Sequence, residues 1–438
     1  MKRALVWFRN DLRLRDNETL IQAIQFRPEV VPVYILDQRY LDRDRWGFVR
    51  TGPYRVQFLL ESLADLKEHL QEKNSDLLIK IGVPEELLPK LAKQYECDVV
   101  FASKEYTHEE IKIEKRLNQS IDTQYFHTSS LVHPDDVPFS VEKTPEVFTK
   151  FRGKIEKYSE IRPALEIPNH IGTPVLEETN VPTFTDLNIL PPQKDERMAI
   201  SFKGGAMEGM KRLDHYFWDT DAVATYKETR NGLTGADYST KFSAWLANGS
   251  LSARFVYQEL EAYEEEVVSN KSTYWVKFEL FWRDYFKFVA MKHGRKIFFP
   301  GGIQGKSIQW RNNHKLFRKW ATGNTGDDFV DANMRELLLT GFMSNRGRQN
   351  VASYLVHRLK QDWRMGAAWF ESLLIDYDVC SNYGNWMYAS GVGNDPRDRI
   401  FNTRKQANDY DGKGEYRSLW LAEPAYEGIE LLEDHLLG

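Results

Sequence analysis

This chain predicts a doubly wound α/β domain followed by an all-helical domain, on three observations. Short β-branched runs alternate with amphipathic stretches through residues 1–134. After Phe202 the strand-like runs stop, and apolar residues recur at three and four spacing. The 438 residues are also too many for one ordinary core, so two units are expected.

The runs RALVWFR, VVPVYILD, DLLIKIG, CDVVFAS and DTQYFH read as five parallel strands. Their apolar residues are continuous, as in strands buried on both faces. Helical patterns over 17–26, 54–72, 84–95 and 108–118 lie between them. No G-x-G-x-x-G follows the first strand, so a dinucleotide site of the usual Rossmann kind is not expected there. Residues 135–202 are punctuated by prolines, among them Pro163, Pro168 and Pro174, and read as a surface connector with some helix. Residues 203–438 form the helical domain, with helices expected over 252–268, 272–291, 331–342, 345–363 and 366–379.

With 42% apolar and 28% charged residues the composition is that of a globular protein. No apolar run reaches the roughly 18–20 residues of a membrane helix, and Met1 leads at once into a strand-like run, so neither a membrane span nor a leader is expected. Two cysteines, Cys97 and Cys380, exclude a disulfide framework and suit a reducing cytoplasm. There is no G-x-S-x-G, H-E-x-x-H or C-x-x-C, and the 10 histidines show no metal spacing. Hydrolytic and metal chemistry are poor candidates.

Four polar constellations remain. Asp376 and Asp378 end an apolar run, beside Asn382 and Trp386. Buried carboxylates need partners, and Arg348 of NRGRQN, a helix that Asn345 can cap, has the planar fork to grip one. Ser239, Thr240 and Ser243 precede a helix, which is either an ordinary cap or an anion site. Glu279, Trp282 and Arg283 share a helix face. Between 287 and 320 lie nine lysines and arginines and no acid, interleaved with Phe298, Phe299, Trp310 and Phe317. That mixture is either a solvated face or a nucleic-acid contact.

Together these motifs resemble the photolyase/cryptochrome flavoproteins, and within them the cryptochrome DASH subclass. The resemblance runs from LVWFRNDLRLRDN to RIFNTRKQANDYDGKGEYRSLW, in order and spacing. It implies FAD bound inside the helical domain and an antenna chromophore near the α/β domain. By position it implies Tyr226 and Ser239, Thr240, Lys241, Phe242 and Ser243 for the flavin phosphates, with STKFS standing where the family has TSRLS. Glu279, Arg283, Asn345, Arg348, Asp376 and Asp378 would flank the flavin, and Asn382 would face its N5. Trp386, Trp363 and Trp310 match the electron relay, with Trp363 just after one helix and Trp386 after the next. Trp282, Arg346, Gln349, Tyr388 and Gln406 fall on the substrate side.

The resemblance further implies light-driven splitting of cyclobutane pyrimidine dimers. Gln349 and Tyr388 replace an apolar residue and a tryptophan of duplex-active photolyases, which points to single-stranded DNA as the substrate. The antenna implied is methenyltetrahydrofolate, with Glu105 of SKEYTHEE as its contact. A monomer without membrane attachment is expected. The alternatives are a blue-light photoreceptor with little repair, or an ordinary duplex-active photolyase.

Overall fold

The computed structural model describes residues 2–395 and 399–423. Its N-terminal part is a five-stranded parallel sheet, β1 (Arg3–Phe8), β2 (Val30–Asp37), β3 (Leu78–Gly82), β4 (Cys97–Ser103) and β5 (Asp122–Phe126), in the order β3-β2-β1-β4-β5. Helices α1 (Glu18–Phe26), α2 (Pro53–Glu72), α3 (Pro84–Gln94) and α4 (His108–Leu117) cover it. Alternate residues of each strand serve opposite faces, which explains the continuous apolar runs. Ala4, Val6 and Phe8 pack with Leu20, Leu63 and Leu66 on one side. Leu5 and Trp7 pack with Leu88, Leu91 and Ile113 on the other. Each valine, leucine, isoleucine or phenylalanine among them contributes about 1.5–3 kcal/mol when fully buried. The strand order reverses between β1 and β4, and a crevice opens there at the C-terminal ends of those strands. Asn17 stands just outside α1 as its cap, accepting from the Leu20 N–H at 3.0 Å.

The connector has two unlike parts. Helix α5 (Phe148–Tyr158) buries Phe148, Phe151 and Ile155 in the core of the helical domain. The chain then runs extended over the α/β domain, where Val30 N–H donates to Gly172 O at 2.8 Å and Asp16 N–H to Leu165 O at 2.8 Å.

The helical domain comprises α6 (Ala206–Asp214), α7 (Tyr226–Thr229), α8 (Ser243–Asn248), α9 (Ala253–Glu266), α10 (Lys271–His293), α11 (His314–Ala321), α12 (Asp328–Thr340), α13 (Asn345–Ser353), α14 (Trp363–Leu373), α15 (Val379–Ala389), α16 (Thr403–Tyr410) and α17 (Glu415–Leu421). Among the described residues no helix is long and apolar enough to cross a membrane. The RNDLRLRDN stretch joins the two domains. Buried Arg13 donates to Gly249 O and Thr128 O, both at 2.8 Å, and buried Asp16 pairs with Arg254 at 2.6 Å. Gly249 (φ 74°) is needed there, because a Cβ would lie 2.0 Å from Asn10 O.

Several expected helix boundaries are corrected. The pattern over 345–363 is not one helix: α13 gives way to a π-helical turn over Tyr354–Arg358, and the chain crosses a loop before α14. Buried Gln361 bonds Asn313 N–H and Leu359 O in that loop, so it pins a break that periodicity cannot register. Ser344, not Asn345, caps α13, accepting from Gly347 N–H at 3.0 Å. α14 stops at Leu373, so Asp376 lies in a loop and Asp378 caps α15 through Ser381 N–H at 2.7 Å. Trp363 opens α14 and Trp386 lies within α15, rather than each following a helix.

Candidate functional site

A cavity of about 510 Å³ lies within the helical domain. One end is the turn before α8. Arg212 holds this turn by donating to Ser239 O and Thr240 O, each at 3.0 Å, and by pairing with Asp237 at 2.7 Å. Lys241 takes a left-handed φ of 57° and turns inward. Its buried ammonium has no hydrogen-bond partner in the protein and lies 3.2 Å from the centre of the Tyr238 ring. Burial pulls it down to about 7, against the pull of Glu336. Tyr226, Ser239, Thr240, Phe242 and Ser243 line the same end. α8 has only six residues, so the fixed charge here is Lys241 rather than a helix terminus.

α10 forms a wall with Glu279, Trp282 and Arg283. Neither charge is free. Glu279 pairs with Arg230, and Arg283 donates to Leu246 O at 2.7 Å and to Ser129 O. The flat aromatic wall is therefore braced by a closed ion pair and a guanidinium spent on backbone.

The loop between α14 and α15 and the start of α13 form the opposite wall. Arg348 pairs with Asp376 at 2.8 Å and donates to Met343 O at 2.9 Å. Asp376 is buried, and its Oδ1 has no partner within the protein. Burial pushes the Asp378 carboxyl up, but Lys287, Arg283 and its bonds to Ser381 outweigh that and hold it below its ordinary value. Asn382 donates to Ala367 O at 3.0 Å, which fixes its amide plane at the cavity wall. Lys241 Nζ, Tyr238 OH and Asp376 Oδ1 are thus three buried, unpartnered polar atoms on one cavity. Each such group costs about 1–3 kcal/mol, so the site is built for a polar ligand with an anionic end.

Trp386 reaches the cavity and lies against Gly366, where a Cβ would meet the indole at 2.2 Å. Trp363 is one turn earlier on α14 and fully buried. Trp363 and part-exposed Trp310 both donate their indole N–H to Pro300 O, at 3.1 and 3.0 Å. A row of indoles therefore leads from cavity to surface.

At the mouth Trp282 and Tyr388 stand with ring centres 5.4 Å apart at 87°. Gln349 and exposed Asn345 line it. Arg346 and Gln406 do not line the cavity. Arg346 holds Gln349 at 2.9 Å, Gln406 at 3.4 Å and Asn231 at 2.8 Å from behind. Residues missed from the sequence include Arg230, Tyr238, Ser344 and Arg399. Arg230 had one signal: the half-buried Glu279, on a face with Trp282, is better placed with a cation beside it.

The cation-rich stretch is divided: Lys287 and Lys292 are taken up inside the protein, while Arg295, Lys296, Lys306, Arg311, Lys315 and Lys319 are exposed. None of its lysines or arginines lines this cavity. Lys287 is buried and bonds Ser129, Lys292 pairs with Glu146, and Phe317 is a core residue stacked on Phe48 at 5.5 Å. Glu105 belongs to a second cavity, about 830 Å³, at the crevice between the domains. Asn10 donates to it at 2.9 Å, and burial pushes its carboxyl up to about 7.

With this geometry the chain can be set beside known proteins. Residues 4–169 match the model of the DNA photolyase family, and 275–429 match that of the FAD binding domain of DNA photolyase. A cryptochrome DASH of Gloeobacter violaceus is 48% identical over 97% of this chain and 86% of its own length. One of Xenopus laevis is 50% identical over 95% of this chain and 82% of its own. The crystal structure of a Synechocystis cryptochrome superposes with a TM-score of 0.94 at 48% identity, over 97% of this chain and 89% of the other.

Proposed function

The chain belongs to the photolyase/cryptochrome family, among the cryptochromes of the DASH subclass, and from that premise we propose that it repairs cyclobutane pyrimidine dimers under blue light, preferentially in single-stranded DNA. The observation that carries this reading is the set of three unpartnered polar atoms in a cavity whose mouth is a Trp–Tyr corner. FAD fits that set. Lys241, with Ser239, Thr240, Ser243 and Tyr226, would take its phosphates, while Arg348, Asp376, Asp378 and Asn382 would take the polar edge of its ring. When bound, FAD supplies light absorption and the electron that splits the dimer.

The remaining work falls to side chains. Trp282 and Tyr388 offer faces to an extruded pyrimidine pair, and Gln349, backed by Arg346 and Gln406, borders it. Trp386, Trp363 and Trp310 would carry an electron inward from the surface. The free cysteines, both buried, fit a monomer in a reducing cytoplasm. The test is an oligonucleotide carrying one thymine dimer in a single strand, illuminated or kept dark with the protein. Light-dependent repair is expected. Its absence with flavin fully reduced favours the photoreceptor reading.

FAD affinity should fall as pH rises. An ammonium at about 7 that gains a phosphate partner has its pKa raised on binding. Affinity is therefore full below pH 7 and declines above it, by at most about tenfold per pH unit until the raised value is passed. Glu336, which burial also pushes up to about 7, faces the same ammonium, as do Arg212, Asp237 and Arg348. Lys241→Arg isolates the lysine, because arginine stays charged. FAD dissociation constants at pH 6 and pH 9 should diverge in the wild type and converge in this variant. Equal slopes in both would refute the linkage.

For the larger cavity we propose methenyltetrahydrofolate, with Glu105 bonding the pterin. A carboxyl near 7 can share its proton with a ring nitrogen. Reconstitution should add a near-ultraviolet band that Glu105→Ala removes. A spectrum explained by flavin alone rules this occupant out.

A further inference from the structure

Trp282 does not stand alone at the mouth. Phe148, the first residue of α5 in the connector, stacks on its indole with ring centres 3.7 Å apart at 12°. Phe148 is only 3% exposed and is itself wedged by Phe278 at 5.1 Å and Tyr285 at 5.7 Å, their rings inclined to it at 81° and 67°. Two residues earlier Glu146 anchors the same segment. Its carboxylate meets Lys292, His293 at 3.3 Å and Asn394 at 2.7 Å, and its carbonyl accepts from Tyr285 OH at 2.5 Å. The stretch that reads as a connector is thus fastened beneath the substrate-facing indole.

Stacked rings at this separation leave at most one indole face for anything else. Tyr388 stands edge-on to that indole at 87°. We propose that Phe148 is a positioning residue of the substrate site: it occupies one face of Trp282 and fixes its plane, so that the other face and the Tyr388 ring form a right-angled corner for one extruded pyrimidine pair. This rests on the lesion-repair reading and extends it to a residue that touches neither DNA nor flavin. The corner would select a kinked pair of bases over a flat stack, because the two ring planes cannot both lie against a flat one.

The test is binding by Phe148→Leu and Phe148→Met, which keep apolar bulk without the flat ring, and by Phe148→Tyr, which keeps the ring. Dissociation constants are measured for single strands with and without a dimer, with flavin content and repair kinetics alongside. Phe148→Leu or Phe148→Met should lose about tenfold in affinity for the dimer strand, of the order of one stacking contact. KM should rise while kcat holds. Phe148→Tyr should stay within about twofold of wild type. The proposal is overturned if the ringless variants bind both strands as wild type does, or if Phe148→Tyr is as damaged as they are. Should wild type fail to tell the two strands apart, the lesion reading fails. The positioning role then requires both strands to weaken equally in the ringless variants, and unchanged binding overturns it.

Discussion

Trp386→Phe should slow light-driven reduction of the bound flavin by tenfold or more, roughly the effect of each ~1.4 kcal/mol added to a barrier. Trp386 is the one indole of the row that lines the cavity. A benzene ring is much harder to oxidise than an indole, so the substitution removes the first station. The cost to the fold is smaller. Trp386 is 2% exposed and packed on Gly366 and Phe370, so loss of part of its volume costs about 1–3 kcal/mol and should leave flavin bound. Trp320 is the control. It meets Trp386 edge-on at 6.1 Å but is fully buried against Phe317 and Phe370, with no route to the surface among these contacts. Trp320→Phe should therefore leave the rate near wild type. Photoreduction unchanged in Trp386→Phe at full flavin occupancy would reject the relay.

The α/β half was legible because its signals are local. Continuous apolar strands, Asn17 before α1 and proline at the starts of α2 and α3 mark their own boundaries. The Arg348–Asp376 pair was legible for another reason: a carboxylate beside an apolar run must find a cation. What escaped depends on partners far along the chain. Lys287 and Lys292 read as surface cations, yet Ser129 and Glu146 take them up. Arg283 was expected to flank the flavin, and its guanidinium is spent on two carbonyls. The role of α5 was in part readable, since Phe148, Phe151 and Ile155 follow helical spacing, but the surrounding prolines masked it. The break between α13 and α14 was not readable, because the apolar period runs on through the π-helical turn.

Repair of a dimer in duplex DNA should be much weaker than repair of the same dimer in a single strand, and the reason is a difference of small energies. Extruding a dimer from a duplex costs a few kcal/mol even where pairing is already weakened. A stacking contact returns roughly 1–3 kcal/mol. Here the corner holds Tyr388, smaller than an indole, and its second side carries Gln349, whose amide is held by Arg346 at 2.9 Å and is turned to polar contact. Neither offsets extrusion fully, whereas a single strand has little extrusion to offset. Salt weakens binding to both, since phosphates are neutralised in each case, so it must be matched. The deciding measurement is the light-dependent repair rate of one thymine-dimer oligonucleotide, single-stranded and annealed, at equal salt and with flavin fully reduced. The account predicts a single-strand rate at least about tenfold higher, the equivalent of ~1.4 kcal/mol of uncompensated extrusion. Equal rates on the two substrates would contradict it.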